Sequence, residues 1–106
     1  MSSDPSPGLS SVPDLSGVPD LSIVIVSWNV RDLLRACLTS LIHPKDEITK
    51  LEIIVVDNAS ADGSVEMIRA EFPQVTLIAN RDNRGFSGGN NQGLAAARGR
   101  YVMLLN

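Results

Sequence analysis

The 106-residue chain contains one cysteine, Cys37, and one histidine, His43. A single cysteine cannot form an internal disulfide, and His43 has no second histidine or neighbouring cysteine with which to build a metal site. Cys37 falls on the apolar face of a predicted helix, where a buried and unreactive thiol is commoner than a nucleophile. Neither residue is therefore expected to carry chemistry.

The chain also lacks long apolar runs and an excess of positive charge. No run approaches the roughly 18 residues of a membrane span, and the N-terminus has neither the basic nor the apolar segment of a secretory signal. The net charge of −3 argues against nucleic acid or an anionic membrane as the main partner. We expect a cytoplasmic protein with no nucleic-acid partner, whose contact with the inner face of the membrane could come only from regions outside this chain.

Residues 1–20 hold four of the six prolines and several serines, without helical or strand periodicity. This composition predicts a disordered tail, because it cannot bury enough apolar surface to offset the entropy of ordering. The pentapeptide V-P-D-L-S occurs at 12–16 and again at 18–22, which we interpret as a duplicated linker fragment. The ordered domain is expected to span residues 21–106.

Within that span, runs rich in Ile and Val alternate with amphipathic segments. They predict strands beginning near residues 22, 51, 75 and 101, and helices over 30–42, 63–72 and about 87–98. Asn29 is expected to cap the first helix. Repeated β-α units of this length predict an α/β fold with a parallel sheet and right-handed crossovers. Because the fourth strand is the last element, we expect the domain to be truncated after it.

The carboxyl ends of parallel strands share one edge, where open α/β folds bind ligands. Asp57 follows the apolar run 51–56 directly, so it should lie at that edge. A carboxylate only accepts hydrogen bonds, and at a base pocket it would select a ring with an N–H donor, such as uracil or thymine, over cytosine. A carboxylate that bonds only the backbone donors of a turn fits the position equally well.

The residues that end the first strand offer a second wall for the same pocket. Ser27, Trp28 and Asn29 could line it, with the indole against a base or ribose. Judged by residue type alone, a core position for Trp28 and a capping role for Asn29 are favoured over ligand contacts.

A glycine-rich segment, N-R-G-F-S-G-G-N-N-Q-G, occupies residues 83–93. Glycines before a helix let backbone N–H groups approach a phosphate, but they also permit close packing of a helix on a sheet. Three familiar glycine motifs are absent: the dinucleotide G-x-G-x-x-G after the first strand, the P-loop lysine, and the G-x-G-T-R turn of sugar nucleotidylyltransferases.

Together, four segments resemble the inverting glycosyltransferases of family 2, which have the GT-A fold. They are I-V-I-V-S-W-N at 23–29, I-I-V-V-D-N-A-S-A-D-G-S at 53–64, N-R-G-F-S-G-G-N-N-Q-G-L at 83–94 and R-G-R-Y-V-M-L-L-N at 98–106. The resemblance covers about residues 21–106 and implies a Rossmann-like parallel sheet of the GT-A type. The sub-pattern G-F-S-G-G-N-N-Q-G-L is similar to bacterial members that transfer rhamnose or related sugars to cell-surface polysaccharides.

The resemblance also implies a set of site residues. Asp57 would bond the imide of a uracil or thymine base, and Asn91 and Gly93 match the start of the third helix. The other residues implied to line the nucleotide pocket are Ser27, Trp28, Asn29, Asn83 and Gly85. The family's metal motif, D-x-D or N-P-D, would begin at Asn106 and continue past it, so we expect no catalytic residue and no metal ligand set within this chain.

The implied function is the nucleotide-sugar-binding half of an inverting glycosyltransferase. The full-length enzyme would use Mg²⁺ or Mn²⁺ and transfer a sugar from a UDP- or dTDP-sugar to a glycan or lipid-linked acceptor. The fragment is expected to be inactive alone, because nothing in it neutralises the leaving diphosphate or deprotonates the acceptor hydroxyl. The alternative from another class is a non-catalytic α/β module that binds a nucleotide or a protein partner.

Overall fold

The computed structural model describes residues 17–42 and 50–105. The helices and strands in them alternate as predicted: β1 (Leu21–Ser27), α1 (Arg31–Ile42), β2 (Leu51–Asp57), α2 (Ser64–Glu71), β3 (Thr76–Ala79), α3 (Gly85–Ala96) and β4 (Tyr101–Leu105). Residues 1–16 of the predicted tail lie outside the described residues. Asp20, by contrast, is joined to the residue before β2, since its backbone N–H donates to the Lys50 carbonyl and its carboxylate accepts from the Lys50 N–H.

The described strands form one parallel sheet in the order β3-β2-β1-β4. β1 and β2 pair along their whole length, so that Ser27 lies opposite Asp57. The central residues of both strands are Ile and Val and are largely buried, as their unbroken apolar runs predict for strands covered on both faces. The pairing places the two predicted site residues at the same level on adjacent strands.

The two faces of the sheet are covered differently. α1 and α2 pack large apolar side chains, such as Leu38 and Ile68, against one face, whereas α3 covers Val24 and its neighbours on the other. Right-handed crossovers explain this division, because the chain steps from β1 to β3 in one direction and returns through α3 to β4 in the other. β1 and β4 therefore meet where the strand order reverses, which in open parallel sheets leaves a crevice at the carboxyl ends.

α3 lies very close to the sheet because two of its glycines face it. A Cβ on Gly89 would lie 2.8 Å from Val26 Cγ1, and a Cβ on Gly93 would overlap Val24 Cγ1. The close-packing interpretation of the glycine segment is confirmed for these two positions. Gly85 differs, since it has a left-handed φ of 77° and open space where a Cβ would lie.

α1 begins one residue later than predicted, and Asn29 does not cap it. Asn29 has a left-handed φ of 52°, and its Oδ1 accepts from the Ala61 N–H at 2.8 Å. The first N–H of α1, that of Arg31, donates instead to Asp62 Oδ2 at 2.9 Å. The predicted capping role of Asn29 is therefore wrong, because a carboxylate from the neighbouring loop satisfies this donor.

α3 starts and ends earlier than the sequence pattern predicts, at Gly85 and Ala96. The early start follows from Asn83, whose Oδ1 accepts the Gly85 N–H at 2.8 Å. The early end follows from Arg98, whose backbone N–H and guanidinium both donate to Glu52. Side-chain hydrogen bonds thus set both ends of this helix.

β4 is the edge strand beside β1, and most of its side chains are exposed. An apolar cavity of about 290 Å³ opens beside its end and is lined by residues of β1, α1 and β4, among them Ser27, Cys37 and Leu105. Cys37 is partly buried against the core on this side, as expected from its place on the apolar face of α1. None of the helices in the described residues is long and apolar enough to cross a membrane.

Candidate functional site

Asp57 ends β2 with only 1% of its surface exposed. Both of its carboxylate oxygens accept hydrogen bonds from Ser60: the backbone N–H donates to Oδ2 at 2.9 Å, and the hydroxyl donates to Oδ1 at 2.6 Å. The turn role considered from the sequence is therefore present. It leaves acceptor positions for a further donor, because a carboxylate has about four of them and Ser60 uses two.

The loop after β1 is joined to the loop after β2. The Asn29 backbone N–H donates to Ser60 Oγ at 2.9 Å, and its side-chain oxygen accepts from Ala61. Ser60 thus lies between Asn29 and Asp57 and contacts both. Ser60, which was not a predicted site residue, therefore holds the predicted site residues Asn29 and Asp57 in one fixed arrangement.

Asp62 holds the starts of two helices. Its Oδ1 accepts from the Ser64 hydroxyl and N–H at the start of α2, and its Oδ2 accepts from Arg31 at the start of α1. The hydrogen bond from the Ser64 hydroxyl, with that from the Arg31 N–H, holds the pKa of the Asp62 carboxyl below its ordinary value. The spacing D-G-S before a helix is a capping signal that could have identified Asp62 for α2, but not for α1.

Trp28 and Ser27 lie at the same edge in opposite environments. Trp28 is 55% exposed, so its predicted core position is wrong and its indole is open to a ligand. Ser27 is buried, and within the described part of the chain its hydroxyl has no hydrogen-bond partner. A buried hydroxyl without a partner costs roughly 1–3 kcal/mol, and this one borders the cavity beside the crevice.

The start of the glycine segment is held by Asn58, the residue after Asp57. Asn58 Nδ2 donates to the Gly85 carbonyl at 3.0 Å, and its Oδ1 accepts from the Arg84 N–H at 3.3 Å. Because Asn83 also bonds the Gly85 N–H, the predicted pocket residues Asn83 and Gly85 are fixed relative to the end of β2. Asn58 is almost fully buried and was not predicted as a site residue.

Two further amides extend this contact into α3. Asn80 and Gln92 exchange two hydrogen bonds of 2.8 Å through their side chains, and Asn80 Nδ2 also donates to Asn58 Oδ1 at 3.0 Å. We call Asn58, Asn80 and Gln92 the amide cluster. It connects the ends of β2 and β3 to α3, and it is a feature of side-chain contact that no sequence periodicity indicates.

Comparison with known proteins decides the family. The family model described as "Glycosyl transferase family 2" matches residues 22–106, most of the chain. The chain belongs to glycosyltransferase family 2. The resemblance proposed from the four sequence segments is confirmed, and so is the assignment of the fold to the GT-A type, because the similar solved structures are GT-A glycosyltransferases.

Two relatives and one solved structure illustrate the range of this glycosyltransferase family. The succinoglycan biosynthesis protein ExoO of Rhizobium meliloti is 36% identical over 101 residues, which cover 94% of this chain and 27% of ExoO. The Escherichia coli UDP-Glc:alpha-D-GlcNAc-diphosphoundecaprenol beta-1,3-glucosyltransferase WfaP is 29% identical over 86 residues, covering 80% and 34%. The mannosyltransferase PcManGT of Pyrobaculum calidifontis, solved with GDP-Man and Mn²⁺, superposes with a TM-score of 0.66 and 28% identity, covering 86% of this chain and 28% of PcManGT.

This family 2 chain thus spans about a quarter to a third of the length of these relatives. The Mn²⁺ of PcManGT agrees with divalent metal use in the family. In residues 17–42 and 50–105 of this chain, no group of three or more His, Cys, Asp or Glu side chains could hold a metal ion. Asn106, the first residue of the predicted metal motif, lies outside the described residues.

Proposed function

We propose that this chain is the nucleotide-binding part of an inverting glycosyltransferase whose donor is a UDP- or dTDP-sugar. The acceptor we propose is a cell-surface glycan or a lipid-linked precursor of one. The observation that carries the proposal is Asp57, a buried carboxylate at the carboxyl end of a central strand, to which Ser60 donates two hydrogen bonds.

The spare acceptor positions of Asp57 match the imide of uracil or thymine. The N3–H of either base would donate to the carboxylate, in a charge-assisted hydrogen bond of about 1.5–3 kcal/mol. Cytosine has a lone pair at N3, which would face the carboxylate without a proton between them. Guanine also offers a ring N–H, and PcManGT was solved with GDP-Man, whereas WfaP is named for UDP-Glc. We favour the pyrimidine donors because the family resemblance implies a uracil or thymine base at Asp57.

Two side chains at the end of β1 support the placing of the base and ribose. The exposed indole of Trp28 offers a flat apolar surface on which a base or ribose can pack. The buried hydroxyl of Ser27 lacks a partner within the described residues, so a polar ligand atom that bonded it would relieve its cost. The fixed turn of Asn29 beside Asp57 would complete this side of the pocket.

The start of α3 supports the placing of the diphosphate nearby. Gly85 keeps open space above its backbone and is tied to the end of β2 through Asn58. The N-terminus of α3 carries a partial positive charge, and a phosphate there would be stabilised by it. Asn83 would contribute by accepting the Gly85 N–H and so holding the start of α3 in place, and the phosphate would be bound by the N–H groups that follow.

In the transfer step, an acceptor hydroxyl oxygen would attack the anomeric carbon, and the nucleoside diphosphate would leave with the electrons of the broken C–O bond. The residues described above would bind and orient the donor. We propose that the longer enzyme uses Mg²⁺ or Mn²⁺ at the diphosphate, and that its metal ligands and the base that takes the hydroxyl proton lie outside the described residues. The 106-residue chain alone should therefore bind the nucleotide but not transfer a sugar.

Calorimetric titration of the full 106-residue chain with UDP, dTDP, GDP and CDP tests this proposal. We expect UDP and dTDP to bind most tightly, and Asp57→Asn to weaken UDP binding by about 10- to 100-fold through the lost charge-assisted bond. Glu71→Gln is the control, because Glu71 is an exposed carboxylate at the end of α2 that pairs with Arg35 and lies outside the predicted pocket residues. Unchanged UDP affinity in a folded Asp57→Asn variant would refute the role of Asp57 in recognising the base. Tighter binding of GDP than of UDP and dTDP would mean that the donor is a GDP-sugar.

A further inference from the structure

We infer that Ser60 is a positioning residue that holds the Asp57 carboxylate in the one orientation suited to an imide N–H. This inference deepens the proposed function and rests on it. Ser60 itself need not touch the nucleotide. Its role would be to set the angle of the carboxylate, and hence the preference between bases.

The geometry around Asp57 fixes its carboxylate at two points. Ser60 supplies both donors, its backbone N–H to Oδ2 at 2.9 Å and its hydroxyl to Oδ1 at 2.6 Å. One bond alone would leave the plane of the carboxylate free to rotate. Two bonds from one residue to both oxygens set that plane relative to the loop.

The proton of the Ser60 hydroxyl has a determined direction. Ser60 Oγ accepts from the Asn29 backbone N–H at 2.9 Å, so its own proton is left for Asp57. Asn29 is in turn held by the bond from Ala61 and has left-handed backbone angles. The carboxylate is therefore aligned with the loop that carries Trp28, which is the side from which a base would approach.

A fixed carboxylate discriminates between bases more sharply than a mobile one. Held in place, Asp57 presents its free acceptor positions to the ring N–H of uracil and opposes the lone pair at cytosine N3. If it could rotate, it would reach the exocyclic amine of cytosine instead, because that amine is also a donor. Loss of the Ser60 hydroxyl should therefore weaken UDP binding and reduce the preference for UDP over CDP.

The same loop contains a matched control. Ser64 also donates its hydroxyl, at 2.6 Å, and its N–H, at 3.1 Å, to a carboxylate, although both bonds go to the same oxygen, Oδ1 of Asp62. Ser64 is fully buried and starts α2, and neither it nor Asp62 is a predicted pocket residue. Ser64→Ala therefore removes an equivalent serine–carboxylate bond without touching the proposed site.

The experiment measures the dissociation constants of UDP and CDP for the full chain and for Ser60→Ala, Ser60→Thr and Ser64→Ala. Ser60→Ala removes the hydrogen bond to Asp57 and the one accepted from the Asn29 N–H. We expect it to weaken UDP binding about five- to tenfold and, through the freed Asp57 carboxylate, to lower the UDP-to-CDP preference by a similar factor. Ser60→Thr keeps the hydroxyl, so its UDP affinity and its UDP-to-CDP preference should equal those of the wild type. Ser64→Ala should lower the urea midpoint and leave the preference unchanged.

An unchanged UDP-to-CDP preference in Ser60→Ala would overturn the inference. Should Ser60→Ala fail to fold, Ser60→Cys replaces it, since a thiol keeps most of the volume but is a weak donor. If the wild-type chain binds UDP, Asp57→Asn does not bind it, and Ser60→Ala keeps the wild-type UDP-to-CDP preference, the positioning role of Ser60 alone is refuted. A chain that binds none of the nucleotides would refute the proposed function and this inference together.

Discussion

β2 carries a buried carboxylate near each end, and the two have very different surroundings. Glu52, near the amino end, accepts hydrogen bonds from the Ser22 hydroxyl and from the backbone N–H and guanidinium of Arg98. Asp57, at the carboxyl end, accepts from Ser60. Glu52 and Asp57 are 8% and 1% exposed, so both are buried. They differ in the number and charge of their hydrogen-bond partners.

The hydrogen-bond partners of Glu52 stabilise the ionised form of its carboxyl group. Burial by itself would raise the pKa of Glu52, but the hydrogen bonds from Ser22 and Arg98 outweigh it and hold the pKa below its ordinary value of 4.5. The Ser22 hydroxyl also accepts from the Gly99 N–H, so the group joins β1, β2 and the turn before β4. A buried carboxylate that accepts three hydrogen bonds and pairs with an arginine is a structural part of the fold.

Asp57 has no charged partner among the described residues. Its bonds come from a neutral residue three positions away, and spare acceptor positions remain at the carboxyl edge of the sheet. A buried charge that is costly unless paired, and that the described residues do not pair with a cation, is a candidate for ligand binding. The contrast predicts that Glu52 supports stability and Asp57 supports nucleotide affinity.

The largest effect should come from displacing α3, because this helix leads directly to Arg98, which bonds Glu52, and its first residue is bonded to Asn58, the residue after Asp57. Gly93→Ala would drive a Cβ into Val24, and overpacking of this kind costs roughly 1–3 kcal/mol or more. We expect a lower free energy of unfolding in urea. Gly88→Ala in the same helix is the control, since its Cβ would meet mainly the Cβ of the exposed Arg84 at 3.1 Å. Equal stability of the two variants would contradict the close packing of α3.

Glu52→Gln should have the next largest effect, about 1–3 kcal/mol at neutral pH, without changing the UDP affinity of the folded protein. Because the folded pKa of Glu52 lies below 4.5, its contribution is fully present above about that pH and is lost as the pH falls through the folded value. The difference in stability between wild type and Glu52→Gln should therefore shrink in acid.

Urea unfolding between neutral and acid pH checks this behaviour. Glu66→Gln, at an exposed position of α2, is the control and should differ little from wild type at any pH. A gap between wild type and Glu52→Gln that stays constant through the acid range would show that charge is not the basis of the Glu52 contribution.

The smallest effect on stability should come from the amide cluster, because it contacts only the carboxyl end of β2, where Asp57 lies, and not the end that carries Glu52. Gln92→Ala removes two hydrogen bonds between half-buried amides, and water can replace them, so we expect a loss of about 1 kcal/mol. Amide hydrogen exchange should rise at Arg84 and Gly85 and stay unchanged at Arg98. Asn91→Ala, at the exposed neighbouring position, is the control; faster exchange at Arg98 as well would mean that α3 loosens as a whole.

Much of the fold could be predicted because it depends on patterns that are local in the sequence. The Ile and Val runs identified β1 and β2, and their length and spacing predicted the parallel sheet that the structure contains. The same reasoning placed Asp57 at the carboxyl edge beside Ser27, which the register confirms. Asn29 and Trp28 were harder, because capping and exposure depend on what packs against them.

The contacts that shape the site join segments distant in the chain. Ser60 accepts from Asn29, 31 residues away in sequence, and Asn58 donates to Gly85, 27 residues away. Neither pair has a periodicity or a local motif to reveal it, and both form only once parallel pairing has brought the strand ends together.

The order of strands and helices along the chain and the position of Asp57 could be predicted from local features, because hydrophobic period and turn residues act over a few neighbours. The family was indicated by the resemblance of four segments and shown by the family model. Which of the two carboxylates pairs with a cation follows only from the folded chain. That difference depends on Arg98 reaching Glu52 from beyond the end of α3, while the residue that reaches Asp57 is the uncharged Ser60. Charge pairing between distant segments follows from the geometry of the folded chain, and residue type alone does not specify it.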